Sequence, residues 1–175
     1  MNILKKQGVA WVLTVVMIVL AVVIGAGSTP AHPVAPTPDA SAPPDFSTFY
    51  VFDDANVLSY SEELTLSKLN TELVNSRGAV VACVTTNYGR SNLFDFALDY
   101  AADLNLTGID FIVVLDISGE NYWLIQGNDL VPYFTDDDCS GYAFDYMKRD
   151  FAQENYGQAL INLVEALSEW YELNF

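Results

Sequence analysis

Histidine and positive charge are nearly missing from this chain. Its only histidine is His32, and 7 lysines and arginines stand against 23 aspartates and glutamates, for a formal net charge of −16. So acidic a chain repels phosphate backbones and anionic lipid headgroups and attracts cations. Nucleic acid is therefore excluded as a partner. The histidine lies in a proline-rich stretch, so neither an imidazole general base nor an imidazole metal ligand is available to a folded domain.

Cysteine is also scarce. Cys83 lies inside an apolar run, Cys139 lies near a predicted helix start, and no CxxC spacing for zinc or redox chemistry exists. A disulfide between the two is allowed outside the cytoplasm. The alternative, which we favour because the sequence does not fix the distance between them in space, is a pair of buried thiols that behave as small hydrophobic side chains.

An apolar segment opens the chain. Lys5 and Lys6 precede an uncharged run over 7–27, and about 20 apolar residues suffice to span a bilayer core. The positive-inside rule keeps the lysines cytoplasmic and sends the rest of the chain outside. A cleavable signal peptide has a shorter apolar region, of about 7–15 residues. We therefore predict that 1–27 is an anchor of a single-pass membrane protein, and that the protein is secreted if the segment is cleaved.

A proline-rich linker follows over 28–45. It holds six of the chain's seven prolines, with alanine, serine and threonine between them. This composition favours extended, polyproline-like chain that holds a domain away from a surface.

The remaining residues, 46–175, are long enough for one domain with its own core. Serine and glutamate at 59 and 62 have capping-box spacing, and Gly78 is a helix stop. Short apolar runs at 79–86 and 111–117 predict buried strands, and 122–126 predicts a hairpin partner. The predicted helices cover 59–78, 93–104, 135–152 and 156–171.

This order of elements predicts an α/β fold. We expect three layers, with a small, mixed, mostly parallel sheet covered by helices on both faces. In the second helix the spacing of Phe94, Leu98 and Ala101 predicts an inward face.

Three motifs in this region resemble one family. The segment 51–59 (VFDDANVLS) resembles V-x-D-x-A-x-x-L-S, and Gly127-x-x-Leu130 follows the hairpin. Phe151 with 154–160 (ENYGQAL) resembles F-x-x-x-[DN]-Y-x-x-[GA]-[LI]. In this order they resemble the TPM domain of thylakoid photosystem-repair proteins and bacterial membrane-attached proteins, over about 46–173.

The resemblance implies a fold more strongly than a reaction. The family's functions include phosphatase activity and divalent-metal binding in plant members, and assembly or receptor modulation in others. Two departures matter: a W-G-I-G-like segment of many relatives is LNLTGI here, at 104–109, and a basic residue in the hairpin is replaced within Gly119-Glu120-Asn121.

Aspartates supply the candidate metal ligands. Asp136, Asp137 and Asp138 open a predicted helix, where they either complement the helix dipole and cap Thr135 or bind a hard cation. The segment lacks EF-hand spacing, so further ligands must come from other loops.

Two other aspartates end apolar segments. Asp53 stands in the family's opening motif and Asp116 follows the apolar FIVVL run. Each is either a turn residue or a ligand, because open α/β sheets bind ligands beyond the carboxyl ends of their strands. Our hypothesis is a Ca²⁺ or Mg²⁺ site built from these loops, with Asp53, Asp116, Asp136, Asp137 and Asp138 as its candidate ligands.

The sequence thus predicts a membrane-tethered, extracytoplasmic module that binds or assembles with an envelope protein, with a divalent cation as a further component. The alternative is a weak metal-dependent phosphatase. Catalysis is the weaker hypothesis, because the chain has no P-loop, no DxDx[TV] motif and no Ser-His-Asp, Cys-His or GxGxxG pattern.

Overall fold

The computed structural model describes residues 46–89 and 91–175. The predicted anchor or signal segment at 1–27 and the predicted linker at 28–45 lie outside these residues. Within the described part of the chain, every helix is too short or too polar to be a bilayer span.

A four-stranded mixed sheet forms the centre of the domain. Its strands are β1 (Val51–Asp53), β2 (Val81–Thr86), β3 (Phe111–Asp116) and β4 (Asn121–Gln126). They lie in the order β1-β2-β3-β4, with β1, β2 and β3 parallel and β4 antiparallel to β3. The predicted buried strands and hairpin are confirmed. The sequence did not predict β1, because three residues followed by turn residues are too few for an alternation to be seen.

Five α-helices surround the sheet, after a short 3₁₀ turn at Phe46–Phe49. They are α1 (Tyr60–Arg77), α2 (Leu93–Asp103), α3 (Asp136–Tyr142), α4 (Lys148–Phe151) and α5 (Tyr156–Asn174). The helix predicted over 135–152 is divided, because a π-helical segment at Ala143–Met147 separates α3 from α4. Such π segments change the direction of side chains along a helix and recur at functional sites.

The ends of α1 follow the sequence signals. Ser59 accepts a hydrogen bond from the Glu62 N–H, and the Glu62 carboxylate accepts one from the Ser59 N–H at 2.7 Å. At the other end Gly78 has φ +68° and donates its N–H to the Val74 carbonyl. A residue without a Cβ adopts this left-handed conformation without strain, so the predicted helix stop is confirmed.

Two apolar cores lie on opposite faces of the sheet. The larger core joins alternate strand residues such as Cys83 and Val113 to α1, α3, the π segment and α5. The smaller core joins Ala82 and Val114, which point the other way, to α2. We call these the closed face and the open face. Both faces are covered in the middle of the sheet, so β2 and β3 are almost wholly buried.

The inward side of α2 differs from the prediction. Leu93 and Ala97 are fully buried, and Ala101 packs beside them, whereas Phe94 is 40% exposed and Leu98 is 43% exposed. Apolar residues surround much of this short helix, so two neighbouring stripes both fit a helical period. The stripe of Leu93, Ala97 and Ala101 lies on the sheet, because its two small alanines let the helix approach the strands closely.

Candidate functional site at the carboxyl edge of the sheet

The parallel strands bring three loops to one edge. Asp53 at the end of β1 pairs with Thr85, and Thr86 at the end of β2 pairs with Asp116. The carboxyl edge therefore contains two of the predicted ligands, Asp53 and Asp116, on strands separated by β2. This is the edge where open α/β sheets bind ligands.

Asp53 organises the turn between β1 and α1. One carboxylate oxygen accepts the Val57 N–H at 3.1 Å and the other accepts the Leu58 N–H at 2.9 Å. The buried Thr85 hydroxyl also donates to Asp53 and accepts the Ala55 N–H at 3.3 Å. The carboxylate thus satisfies backbone donors just before the first helix, as the turn-residue interpretation predicted.

Asp116 is fully buried and ties two loops together. Its two oxygens lie 3.0 and 2.8 Å from the Gly89 nitrogen, which donates from the loop that precedes α2. Gly119 N–H donates at 3.1 Å and the Ser118 hydroxyl at 3.3 Å, both from the hairpin. These donors compensate for the loss of water around a buried carboxylate. Any Cβ at Gly119 would overlap the Asp116 carboxylate.

Further acidic side chains surround this edge. The pKa of Glu63 is raised, first by burial and then by the negative charge of Asp53. The pKa of Tyr156 is raised by burial and by the charges of Glu154 and Glu120. Among the described residues these carboxylates give the edge a negative potential; Arg90, which follows Gly89 in the sequence, lies outside the described residues.

Asp54 contacts the helix on the open face. It accepts a hydrogen bond from Tyr100 of α2, whose pKa burial and this acidic partner raise to about 12. Tyr100 also packs edge-on against Phe52, with ring centroids 5.6 Å apart. The bond fixes α2 against the end of β1.

The three consecutive aspartates lie at the opposite edge. Asn121 at the start of β4 pairs with Asp116, while Gln126 at its end pairs with Phe111. The Gln126 side chain donates to Asp136 at 2.7 Å. Five residues of strand, at about 3.3 Å each, separate the two ends by roughly 16 Å. Asp136, Asp137 and Asp138 therefore cannot share one metal ion with Asp53 and Asp116.

Asp138 fulfils the predicted capping role. It accepts the Thr135 N–H at 2.7 Å, and its own N–H is donated to the Thr135 hydroxyl at 3.3 Å. The Thr135 hydroxyl also donates to the Asp138 carboxylate at 2.7 Å, and the hydrogen bonds that this carboxylate accepts from the Thr135 N–H and hydroxyl lower the pKa of Asp138 below its ordinary value. Asp137 is exposed. No three aspartate, glutamate, cysteine or histidine side chains among residues 46–89 and 91–175 form a group able to hold a metal, so the Ca²⁺ or Mg²⁺ site stays a prediction.

Comparison with known proteins identifies the family. The model of the TPM domain matches residues 51–169. The chain belongs to the TPM domain family. No curated protein matches this chain.

Solved structures agree with this fold for the TPM domain. The N-terminal domain of a protein from P. gingivalis is 26% identical, with a TM-score of 0.64, and the match covers 70% of this chain and 82% of that chain. The N-terminal domain of the cg2496 protein from Corynebacterium glutamicum is 16% identical, with a TM-score of 0.58 and coverage of 77% and 87%. At 16% identity the likeness concerns the fold alone.

The motif residues that carry the TPM resemblance serve the fold. A Cβ at Gly127 would overlap the Gly108 carbonyl, so the loops before β3 and after β4 approach closely only without one. Phe151 packs on Tyr122 and Tyr156, with ring centroids 5.0 and 5.4 Å apart. These contacts explain why the motifs predicted the architecture and gave no direct signal for a reaction.

The thiols of this TPM domain are buried and free. Burial raises the pKa of Cys83 to about 12 and that of Cys139 to about 12. Cys139 donates its S–H to the Gln126 side-chain oxygen at 3.0 Å. The structure therefore agrees with the buried-thiol interpretation rather than with a disulfide between them.

Sequence reasoning missed two surface features. A cavity of about 340 Å³ lies between the π segment and α5, with Asp145, Glu165 and Glu169 on its walls. The nearly buried Asp150 at its base accepts from Asn162 at 2.9 Å and pairs with Arg149 at 3.2 Å. The second feature is the exposed aromatic pair Phe94 and Trp123 on the open face. The available signal for this pair was that α2 carries two neighbouring apolar stripes, of which the sheet covers only one.

Proposed function

We propose that this protein is a binding or assembly module for a cell-envelope protein, held outside the membrane by 1–27 and spaced from it by 28–45. One observation supports the binding role most directly. Phe94 and Trp123 pack edge to face with ring centroids 5.3 Å apart, while each side chain stays 40% or more exposed to solvent. Exposed aromatic pairs on an otherwise strongly acidic domain are typical of protein contact surfaces.

The chemistry of the buried groups also favours binding over catalysis. The carboxylates of Asp53 and Asp116 accept hydrogen bonds that fix loops, which leaves them poorly placed to act as general bases. The raised pKa values keep Cys83 and Cys139 protonated at neutral pH, and a thiol is a weak nucleophile.

Cross-linking in membranes tests the binding role. A photoreactive amino acid replaces Trp123 in the full chain, expressed in the cells from which it comes, and a second version carries it in place of exposed Glu172 on the far end of α5. We expect adducts of defined mass with one envelope protein from position 123 and none from position 172. Adducts absent from both positions, or equal at both, would contradict a binding role for this surface.

A divalent cation at the carboxyl edge is the second part of the proposal. The acidic side chains around Asp53 and Asp116 attract hard cations, and Ca²⁺ and Mg²⁺ prefer carboxylate and carbonyl oxygens. Titration calorimetry with CaCl₂ and MgCl₂ tests it on the full chain. We expect affinity in the millimolar range or tighter that Glu63→Gln weakens and Asp137→Asn, at the opposite edge, leaves unchanged. Equal affinity in both variants would contradict this placement.

Phosphatase activity is the alternative, favoured by the phosphatase function for which the family is named. Metal-assisted phosphoryl transfer would use a cation at the carboxyl edge to stabilise the transferring group. Hydrolysis of p-nitrophenyl phosphate by the full chain, lost with EDTA and with Glu63→Gln but kept in Asp137→Asn, is the result that would establish it.

A further inference from the structure

On the open face, an apolar strip beside α2 is left uncovered by the residues that the structure describes, 46–89 and 91–175. Phe94 and Leu98 of α2 lie alongside Trp123 and Ile125 of β4, and the Phe94 and Trp123 rings touch with centroids 5.3 Å apart; we call this apolar strip and the shallow depression beside it the α2–β4 groove. Phe94, Leu98 and Trp123 are each 40–43% exposed. Ile125 packs at the border of the smaller core. The groove is therefore a continuous apolar strip that is half in solvent.

A cavity of about 190 Å³ extends the groove towards the amino edge of the sheet. Leu98, Leu106, Ile112 and Ile125 give it apolar walls, and Asp110 lies at its border. The cavity is smaller than an ordinary ligand pocket of about 300–1,000 Å³, so it suits single side chains of a larger partner better than a whole small-molecule ligand.

The layering of the fold favours a helix as the occupant. Among the described residues, four α-helices and the π segment pack on the closed face, whereas α2 alone packs on the smaller core of the open face. A second helix beside α2 would complete this layer over β4. An apolar stripe on the guest helix would then meet the groove, as amphipathic helices do in hydrophobic grooves.

Strand addition to β4 is a poorer fit. Gly127 donates its N–H to the Asp110 carbonyl at 2.7 Å, and antiparallel ladders alternate. The backbone groups of Leu124 and Gln126 therefore face away from β3. These two residues are only 5% and 9% exposed, so the outer edge of β4 is shielded from another strand.

The charge around the groove defines the partner further. Residues 91–147, which include α2 and β4, contain no lysine or arginine. Of their eleven acidic residues, Asp95, Asp99 and Asp103 belong to α2 and Asp110 lines the adjoining cavity. Asp95, Asp99 and Asp103 are exposed on α2 itself. A guest with lysines or arginines beside its apolar stripe complements this surface.

We propose that the α2–β4 groove binds a basic amphipathic helix of a partner protein. This inference rests on the proposed binding function and names the chemistry of the partner. The apolar stripe of the partner helix lies on Leu98, Trp123 and the adjoining cavity, and the basic side chains of that helix face the carboxylates of α2.

A synthetic helix tests the proposal directly. The probe is a 14-residue peptide of leucine and lysine with leucines at i, i+3, i+4 and i+7, carrying one benzophenone residue in its apolar stripe. Two matched peptides replace every lysine with glutamate, or scramble the order so that no stripe forms. The full chain is held in phosphatidylcholine nanodiscs, and adducts are quantified against peptide concentration and located by mass spectrometry.

The proposal expects adducts within α2 and β4 for the leucine–lysine peptide. Both matched peptides should need at least tenfold higher concentration for the same yield. In the double variant Leu98→Ser/Trp123→Ser, the basic peptide should need at least tenfold higher concentration for the same adduct yield. The control Tyr133→Ser removes an exposed aromatic outside the groove and should change the yield less than twofold. Adducts elsewhere, or equal yields in the double variant and the control, would overturn the proposal.

Cross-linking in native membranes separates this inference from the proposed function. With the photoreactive residue at position 94 and Leu98→Ser in the same chain, loss of the envelope-protein adduct supports the groove. An undiminished adduct overturns the groove while the binding function stands. If the chain that keeps Leu98 gives no adduct from position 94 and none from position 123, the proposed function itself is overturned.

Discussion

The two faces of the sheet differ in how completely they are covered. On the closed face, Phe111, Phe134 and Trp170 pack edge to face in a cluster with ring centroids 5.0–6.1 Å apart. On the open face, the Phe94–Trp123 pair has similar geometry but remains in solvent. The same kind of aromatic contact thus stabilises the fold on one face and leaves a surface for contact on the other. Burial, rather than ring geometry, separates the two roles.

The largest expected effect is the difference in stability lost when an aromatic side chain is removed from the closed face rather than from the open face. Phe134→Ala should lower the free energy of unfolding by about 3–5 kcal/mol, because it opens a cavity among Phe111, Tyr142 and Trp170. Phe94→Ala should cost about 1 kcal/mol or less, because Phe94 is already 40% exposed. Urea denaturation of the full chain, followed by near-UV circular dichroism, measures both. Equal losses would show that the open face is as much a part of the core as the closed face.

Asp116 connects the carboxyl edge with the open face. Asp116→Asn replaces an acceptor oxygen with an NH₂ group opposite the Gly89 and Gly119 N–H groups. The substitution should cost about 2–3 kcal/mol, since buried donors lose their partner. Gly89 precedes α2, so hydrogen exchange in α2 should accelerate more than in α5.

The exposed Asp137→Asn is the matched control for Asp116→Asn and should be close to neutral in the same denaturation series. If the two variants have the same stability, the hydrogen bonds of Asp116 contribute little and the carboxylate is free for another task. That outcome would strengthen Asp116 as a metal ligand.

The sequence predicted most of the closed face and little of the open face. Strand runs at β2 and β3, the cap at Ser59 and the stop at Gly78 depend on local chemistry, which a sequence displays directly. The inward stripe of α2 depends on how closely the helix approaches the sheet, which is a tertiary property. For that reason Phe94 and Leu98 were assigned to the core although they form the groove.

The candidate metal site was harder to predict than the fold. The sequence correctly placed Asp116 at a strand end, because the apolar run FIVVL ends there, and Asp53 in the turn before the first helix. The predicted hairpin already returned β4 to the opposite edge, but the sequence could not show that the loop over 127–135 keeps Asp136 there, beside Gln126. Nor could it show which carboxylates already accept hydrogen bonds from distant loops, such as that of Gly89.

Gly127 and Gly141 differ in the space that is available for a Cβ atom, which gives a third contrast. Gly127→Ala should cost about 1–3 kcal/mol, because the new methyl group would overlap the Gly108 carbonyl beneath the groove cavity. Gly141→Ala meets nothing within 4 Å in α3 and should stabilise the chain by up to about 1 kcal/mol through helix propensity. Thermal unfolding of the two variants checks this. A destabilised Gly141→Ala would mean that α3 cannot accept a side chain there.

The smallest expected effect concerns the cap of α3 on the closed face. Hydrogen bonds from Thr135 lower the pKa of Asp138 in the folded state, so its charged form is stabilised by folding. That contribution is present above the ordinary value of 3.8 and is lost as the pH falls through the lower folded value. Asp138→Asn should therefore be less stable than the unsubstituted chain at pH 6, with the difference narrowing below pH 4.

The exposed Asp137→Asn is again the control and should show no such narrowing, because no hydrogen bond of this kind holds its carboxylate. Denaturation midpoints between pH 6 and pH 3 supply the measurement. If the Asp138→Asn difference persists unchanged at pH 3, the cap acts through packing of Thr135 rather than through the carboxylate charge. In that case the carboxylate of Asp138 contributes little to the stability of α3, and the hydrogen bond from Gln126 to Asp136 is the contact that holds this helix start against β4.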